Sequence, residues 1–328
     1  MTDPVLTVTD LTVALSLPHA APRVLLDKVS LELGKGEVLG LVGESGSGKS
    51  LFCRTLVRLL PSRNMRITDG RILLGKEDLA RASETQMLDV RGGRIGMIFQ
   101  NPTSHLDPVM TIGDQLTEGI RFHQGLDARA ARKAAVAILH QIGFPEPERQ
   151  FDAYPHEFSG GMRQRAMIGV ALSCNPEILI ADEPTTALDV TIQSQILFEV
   201  QKLARETGTA VLWITHDLAV VAELADRVAV MYAGRVVEIG PVDEVLDAPR
   251  HPYTLGLLNS SAANVAPGER LNQIDGVAPR IDARPSGCPF RPRCPRVQPV
   301  CSERDPETVG EGARSFRCHN PVPVGEAA

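Results

Sequence analysis

The sequence has no long apolar run and few aromatic residues. Its longest strongly apolar stretches, 178–181 and 209–214, have the length of a β-strand. A membrane-spanning helix needs roughly 18 such residues, so we expect no segment that crosses a bilayer. Phe, Trp and Tyr make up only 4% of the chain, which favours an aliphatic α/β core over a β-sandwich.

An excess of basic residues is also missing. The 34 Lys and Arg residues are outnumbered by 40 Asp and Glu residues, and the net charge of -6 argues against a nucleic-acid partner. The N-terminus carries Asp3 and lacks a basic stretch followed by an apolar one, so we expect no secretory signal. The sequence shows no internal repeat or low-complexity tract. We expect a cytoplasmic protein.

Cysteine is scarce and unevenly distributed. Cys53 and Cys174 stand alone in apolar stretches and are expected to be inert core thiols. The other cysteines cluster in the final segment: Cys288, Cys294, Cys301 and Cys318. Disulfides are not expected in a cytoplasmic chain, so metal ligation is the favoured interpretation. Four thiolates suit zinc or an iron–sulfur cluster, although the wide spacing of the cysteines disfavours zinc. In a zinc site, His319 could replace one of the cysteine ligands. Unmetallated cysteines remain a third alternative.

The hydrophobic pattern predicts an α/β protein. Alternation within residues 6–33 predicts two antiparallel strands, and the apolar run 37–42 predicts a buried parallel strand followed by a helix over 51–60. From about 103 to 174 the pattern predicts an inserted helical subdomain. Short strands and helices then alternate, as in a parallel sheet covered by helices. The strands are 178–181, 210–215 and 228–232, and the helices are 192–207 and 218–225.

A glycine-rich loop lies between the predicted strand 37–42 and the following helix. It matches G-x-x-x-x-G-K-[ST], and all of its residues are candidates for nucleotide contact: Gly43, Glu44, Ser45, Gly46, Ser47, Gly48, Lys49 and Ser50. Backbone N–H groups and the helix start can bind phosphates, Lys49 can reach the β and γ phosphates, and the Ser50 hydroxyl can ligate Mg²⁺. A simple turn with an exposed lysine is the alternative, which the strand–loop–helix context disfavours.

Two carboxylates end a later apolar strand. Asp182 and Glu183 directly follow 178–181, where Asp182 can help to hold Mg²⁺ and Glu183 can orient or deprotonate a water. Because Pro184 follows them, these acids could instead begin a helix. The phosphate loop upstream favours the nucleotide role.

A second glycine-rich segment precedes the apolar helix 166–172. Ser159, Gly160 and Gly161 at a helix start could bind an anion without a lysine. Ser159 as an ordinary helix N-cap is the alternative.

In this order, the motifs resemble the ATP-binding cassette (ABC) family over roughly residues 5–245. Residues 159–163 resemble the family signature, which usually ends in Gln, and 187–189 resemble its D-loop. Gln100 matches the glutamine that contacts Mg²⁺ and water, and His216 matches the switch histidine at the γ-phosphate. A lone histidine at a strand end would otherwise be interpreted as structural.

The resemblance implies a P-loop NTPase (RecA-like) parallel-sheet core, an N-terminal antiparallel β subdomain and the inserted helical subdomain. It implies catalytic roles for Glu183, His216 and Gln100, and Mg²⁺ contacts from Ser50, Gln100 and Asp182. ATP and Mg²⁺ are the expected cofactors. The sequence departs from the family pattern in how it would bind adenine, because the loop 19–23 lacks the aromatic residue that usually stacks on this base. Base stacking is then weakened or left to His19 or Arg23.

The C-terminal segment also has a family resemblance. Residues 250–258 and 287–295, together with 101–113, resemble the oligopeptide and dipeptide import branch. The expected division is a cassette domain at 1–248 and a small, irregular, Cys-rich domain at 249–328, where proline and glycine become frequent. The resemblance implies a [4Fe-4S] cluster, with Zn²⁺ as the alternative, and a structural role for the metal centre.

The resemblance also implies partners. The signature of one cassette serves a neighbour's ATP, so we expect a head-to-tail dimer with an identical or homologous cassette. Two transmembrane permease subunits and, indirectly, an extracytoplasmic solute-binding protein complete the expected importer, which places this chain at the cytoplasmic face of the membrane as a peripheral protein. Related importers of nickel or other small solutes are the alternative. A soluble cassette ATPase acting on DNA or ribosomes and a metabolite kinase fit the motifs less well.

Overall fold

The computed structural model describes residues 3–100, 105–185, 190–260 and 273–325. Within these ranges the strands are β1 (Leu6–Leu17), β2 (Ala20–Leu33), β3 (Val38–Val42), β4 (Met65–Leu74), β5 (Glu77–Asp78), β6 (Ile95–Ile98), β7 (Ile178–Asp182), β8 (Ala210–Ile214), β9 (Arg227–Tyr232), β10 (Arg235–Pro241), β11 (Val309–Glu311) and β12 (Arg314–Phe316). The helices are α1 (Lys49–Leu56), α2 (Glu84–Val90), α3 (Ile112–Gln124), α4 (Ala128–Gln141), α5 (Pro147–Phe151), α6 (Gly160–Leu172), α7 (Val190–Thr207), α8 (Leu218–Leu224), α9 (Val242–Asp247), α10 (Pro252–Asn259) and α11 (Val300–Glu303).

The chain folds as two compact units. The first unit comprises Met1–Val5, Leu33–Glu37 and Arg81–Leu212, and the second comprises Leu6–Glu32, Val38–Ala80 and Trp213–Ala328. The boundary between the units falls within β8. Among the described helices, none combines the length and the hydropathy that a membrane span requires.

The second unit contains an antiparallel sheet in the order β2-β1-β4-β5. Strand β1 runs antiparallel to β4, with Leu6 opposite Leu74 and Leu15 opposite Met65. Buried residues alternate along β1 and the second half of β2, because one face of this sheet packs on the core. The antiparallel N-terminal part expected from the sequence is therefore confirmed.

The same unit contributes the strands β11-β12-β10-β9-β3 of a second sheet. Strand β3 is parallel to β9, with Leu39 opposite Arg227 and Val42 opposite Val230. All residues of β3 are buried, as the continuous apolar run predicted. Strands β9 and β10 form a hairpin, and β12 pairs with β10. The predicted helix after the phosphate loop is present as α1.

The first unit combines a parallel strand pair with helices. Strand β6 is parallel to β7, with Ile95 opposite Ile178 and Ile98 opposite Ala181. The helical part predicted for about 103–174 contains α3 to α6, although its first residues, 103 and 104, lie outside the described ranges. Thr111 and Asp127 begin α3 and α4, since each side chain accepts a backbone N–H as an N-cap.

The C-terminal part of the chain is more regular than its sequence indicates. After α9, the backbone N–H groups of Arg250 and His251 donate to the buried Glu238 carboxylate on β10, at 2.7 and 2.9 Å. The Arg314 guanidinium donates to the carbonyls of Glu244 and Ala248, at 3.0 and 2.6 Å. The tail therefore adds β11 and β12 to the second sheet, and it belongs to the same compact unit as the phosphate loop. The domain boundary at 248 stays a prediction.

Candidate nucleotide site

The phosphate loop connects β3 to α1 in the second unit, and its three glycines have left-handed backbone conformations that other residues rarely adopt. Gly43 has a φ of 149°, and a Cβ there would lie 2.2 Å from the Met231 carbonyl oxygen. Gly48, with a φ of 109°, occupies the N-cap position of α1. The loop can therefore approach β9 closely and still direct the positive end of α1 toward an anion.

Lys49 and the serines of the loop have the chemistry of a phosphate site. The Lys49 ammonium is buried and donates to the carbonyls of Gly43 and Glu44, at 2.7 and 3.2 Å. The Ser47 hydroxyl is buried and has no hydrogen-bond partner among the described residues, and Ser50 lies half-buried in the first turn of α1. Ammonium, hydroxyl and helix terminus are the groups that bind a polyphosphate and its Mg²⁺, so these residues fit ATP.

In the first unit, the structure brings Gln100 and Glu183 together. Gln100 follows β6 and Glu183 follows β7, so both lie beyond the carboxyl ends of neighbouring parallel strands. The Gln100 amide Nε2 donates to Glu183 Oε2 at 3.0 Å. Asp182, at the end of β7, is 3% exposed. Ligand-binding residues of parallel sheets concentrate at this edge.

Glu183 has a left-handed backbone conformation, with a φ of 47°. This conformation is strained for a residue with a side chain, and such strain concentrates at functional positions. The alternative in which Asp182 and Glu183 only begin a helix is not what the structure shows, because Asp182 is the last residue of β7.

The second glycine-rich segment forms the start of α6. The Ser159 hydroxyl accepts the Met162 N–H at 3.3 Å, so this serine caps the helix, and Gly160 is exposed beside it. The Arg163 Nε donates to the carbonyls of Pro155 and Phe158, at 2.9 and 3.0 Å, and fixes the approach to the helix. The N-terminus of α6 is thus both capped and accessible, while Gly161 is half-buried.

The remaining motifs are placed as follows. His216 is exposed and lies between β8 and α8 in the second unit. The next residue, Asp217, accepts the Ala219 N–H at 2.9 Å and caps α8. The predicted D-loop, 187–189, and residues 101–104 of the segment after Gln100 lie outside the described residues.

Contacts from the tail to the phosphate loop were not predicted from the sequence. The Tyr253 hydroxyl accepts the Glu44 backbone N–H at 2.8 Å. The Arg293 guanidinium donates to both carboxylate oxygens of Glu44, at 2.6 and 2.9 Å. The sequence feature that bears on these contacts is the scarcity of tyrosine, since the chain has only three. Two of them, Tyr232 and Tyr253, pack together here, with ring centroids 4.5 Å apart.

The loop expected to contact the base also contacts the tail. Arg23 donates to the Asp282 carboxylate at 2.8 Å, and His19 forms the β1–β2 turn with a φ of 60°. A Cβ added to Gly48 would lie 2.8 Å from Ile281 Cδ1. Residues 281 and 282 therefore lie against both the phosphate loop and the segment that lacks an aromatic residue.

The four C-terminal cysteines are free thiols in a shared environment. Burial, with a smaller contribution from charge on the neighbouring cysteines, raises the pKa of Cys288 to about 11 and that of Cys318 to about 12. Burial also raises the pKa of Cys294. Within the described ranges, however, no three His, Cys, Asp or Glu side chains are arranged to hold a metal ion. The metal centre predicted from Cys288, Cys294, Cys301 and Cys318 is not supported by the arrangement of the described residues.

Comparison with known families identifies the two parts of the chain. Residues 26–186 match the model of the ABC transporter family. Residues 237–301 match the model described as the oligopeptide/dipeptide transporter, C-terminal region. The second match includes Tyr253 and Arg293, the tail residues that contact the phosphate loop.

Similar proteins match over most of their length. The dipeptide transport ATP-binding protein DppD of Bacillus subtilis is 48% identical over 291 residues, which cover 88% of this chain and 87% of that protein. The oligopeptide transport ATP-binding protein AppD of the same organism is 47% identical, and the match covers 89% of this chain and 90% of that protein. Neither match is confined to the phosphate loop.

Solved structures agree with this assignment. A dimeric, post-hydrolysis structure of the ATP-binding cassette MJ0796, bound to ADP and Pi, has a TM-score of 0.64 and 26% identity. The match covers 72% of this chain and 98% of that cassette. The P-loop NTPase core predicted from the sequence is thereby confirmed. The chain belongs to the ABC transporter family, as an ATP-hydrolysing subunit that carries the C-terminal region of oligopeptide/dipeptide transporters.

Proposed function

We propose that this chain powers the import of dipeptides or oligopeptides through a membrane-bound ABC transporter. The observation that carries the proposal is the combination of a cassette with the oligopeptide/dipeptide type of C-terminal region, in a chain similar over most of its length to DppD and AppD. An importer of nickel or another small solute is the alternative within the same branch. The solute itself is recognised by other subunits.

The chemistry assigned to this chain is hydrolysis of the terminal phosphoanhydride bond of ATP. Lys49 binds the β and γ phosphates, while Ser50 and Asp182 would hold Mg²⁺, which would supply neutralisation of the phosphate charge. Glu183 accepts a proton from the attacking water, and His216 donates to the γ-phosphate. The Gln100 amide donates to one Glu183 oxygen at 3.0 Å, and this contact orients the carboxylate for its role with water.

A second cassette is the proposed partner in hydrolysis. The exposed start of α6, with Ser159, Gly160 and Gly161, would face the ATP of the partner cassette. The dimeric state of the similar cassette MJ0796 supports this arrangement. Two permease subunits would receive the resulting motion, with this chain bound peripherally to the cytoplasmic face of the membrane and an extracytoplasmic protein delivering the solute.

We also propose a metal centre in the tail, as either an iron–sulfur cluster or zinc. The support is the donor chemistry of four free thiols whose charges influence one another. Its role would be structural. Protein purified anaerobically and analysed for iron, sulfide and zinc tests it. Metal-free, folded protein that binds neither metal on reconstitution would exclude the centre.

Uptake in intact cells tests the proposed solute. A strain that lacks the chromosomal copy of this gene is complemented with the wild-type chain or with Lys49→Ala, and uptake of labelled dipeptide and of nickel is measured. We expect dipeptide uptake to return only with the wild-type chain. Restoration of nickel uptake without dipeptide uptake would favour the alternative solute.

Isolation of the complex tests the partners. Tagged protein is recovered from detergent-solubilised membranes, and the co-purifying subunits are identified. Two multi-span proteins are expected. Ribosomes or DNA in their place would contradict a transport role.

A further inference from the structure

Glu44 places a carboxylate inside a loop whose ligand is a polyanion. It directly follows Gly43, and its carbonyl accepts a hydrogen bond from Lys49 Nζ at 3.2 Å. An unpaired negative charge at this position would repel phosphates and would also attract the Lys49 ammonium away from them. Some feature of the fold must therefore neutralise and fix this side chain.

Arg293 supplies that feature from the C-terminal part of the chain. Its guanidinium makes a bidentate contact with Glu44, and its side chain is only 4% exposed. The pKa of Arg293 is raised, chiefly by its hydrogen bonds to Glu44. Backbone carbonyls of Ile274 and Asp275 accept two more of its N–H groups, at 3.3 and 2.9 Å. Bidentate, buried pairs of this kind fix geometry far better than exposed ion pairs.

Tyr253 fixes the backbone of the same residue. Its hydroxyl accepts the Glu44 N–H at 2.8 Å, so this amide is directed toward the tail. The Tyr253 ring is buried in a cluster with Tyr232 and Phe290, with centroids 4.5 and 5.4 Å away. This aromatic packing restricts the ring and therefore the position of its hydroxyl.

We propose that Arg293 and Tyr253 are positioning residues for the phosphate loop, which hold Glu44 and cancel its charge so that the loop is preformed for nucleotide phosphates. The proposal rests on the ATP-binding role of the loop and extends it to the C-terminal region. That region is then part of the nucleotide site, in addition to any role in contacting transporter subunits. All of these residues belong to one compact unit of the chain.

A charge-coupled pair of substitutions tests the proposal on the purified full-length chain, with MgADP as the probe because it binds without hydrolysis. Arg293→Gln leaves the Glu44 charge unpaired, and we expect the Kd for MgADP to rise on the order of tenfold, the effect of about 1.4 kcal/mol. Glu44→Gln combined with Arg293→Gln removes that charge and should restore affinity to within about threefold of the wild type. A purely structural role for Arg293 would not produce this rescue.

Arg291→Gln is the matched control. Arg291 lies in the same short 3₁₀ turn, residues 291–293, but its side chain contacts Ser286 at 3.4 Å and not the loop. We expect its Kd to match the wild type. An Arg293→Gln Kd equal to that of the control, or a double variant as weak as the single one, would overturn the proposal.

Two more variants cover the case in which Arg293→Gln does not fold. Arg293→Lys keeps a buried cation without the planar fork, and Tyr253→Phe removes only the hydroxyl that accepts the Glu44 N–H. Both should bind MgADP more weakly than the control while circular dichroism shows a folded chain. Wild-type affinity in both would refute the positioning role. Absence of MgADP binding by the wild-type chain itself would instead refute the nucleotide assignment of residues 43–50.

Discussion

The buried His251 makes the stability of the tail sensitive to acid. Its ring Nδ1 accepts the Tyr253 N–H at 3.0 Å, as the N-cap of α10, and its side chain lies next to the ring of Phe290, with centroids 5.8 Å apart. Burial lowers the pKa of His251 from 6.5 to about 3. The folded chain therefore binds fewer protons than the unfolded chain between these pH values, and stability is lost as the pH falls below 6.5.

The size of the effect follows from the two pKa values. At pH 5.0, about 1.5 units below the unfolded pKa of 6.5, the loss relative to neutral pH is ~2 kcal/mol. Glu238, which accepts the His251 N–H, acts in the opposite direction, because burial raises its pKa and protonation then favours the folded state. Comparing the wild type with a variant that lacks His251, at pH 7.5 and at pH 5.0, separates the contribution of His251 from that of Glu238.

His251→Asn is the appropriate variant, since asparagine can cap a helix but cannot be protonated. Urea unfolding is followed by the fluorescence of Trp213, the single tryptophan, which is buried in β8. The variant is less stable at both pH values because it loses ring packing. Between pH 7.5 and 5.0, however, the wild type should lose ~2 kcal/mol more than the variant. Equal losses would refute the assignment of a neutral, buried His251.

Three further predictions concern the nucleotide site. Glu183→Gln should keep ATP binding, lower hydrolysis by about 10²–10⁴-fold and leave a closed dimer on size-exclusion chromatography, whereas near-normal turnover would remove Glu183 from catalysis. Gln100→Ala should lower kcat on the order of tenfold with unchanged ATP affinity, since it frees the Glu183 carboxylate, and a change confined to affinity would contradict this role. Gly43→Ala should lower Tm more than Gly46→Ala: both positions have a positive φ, but only a Cβ at Gly43 meets the Met231 carbonyl, and no described atom lies within 4 Å of a Cβ at Gly46.

The local elements of the fold were predictable because their signals are local. The apolar run before Gly43 is β3, and the strand that ends in Asp182 is β7, as their hydrophobic patterns indicated. Helices α3 and α4 follow from amphipathic spacing and from their N-caps, Thr111 and Asp127. Roles for Gln100 and His216 came from the order of motifs, because neither residue has a distinctive neighbourhood in the sequence.

The tail contacts could not be predicted in the same way. Tyr253 lies 209 residues from Glu44, and Arg293 lies 249 residues away, so no periodicity relates them. Strand β12 has only three residues, from Arg314 to Phe316, and it is stabilised by pairing with β10 and by the contacts of Arg314. Such a strand has no hydrophobic pattern of its own, and proline and glycine nearby suggested irregular structure.

The first residues of α10 connect the contacts that hold the tail on β10 with the contact that holds the phosphate loop. Glu238 holds the backbone of His251, His251 caps the N–H of Tyr253, and the Tyr253 hydroxyl holds Glu44. Protonation of His251 Nδ1 would remove the acceptor of the Tyr253 N–H, at the residue that positions Glu44. With a folded-state pKa of about 3, however, His251 stays neutral in the folded chain between pH 7.5 and 5.0. The nucleotide affinity of the folded chain should therefore have the same pH dependence over this range in the wild type and in His251→Asn, and a steeper fall in the wild type would show that His251 is protonated in the folded chain.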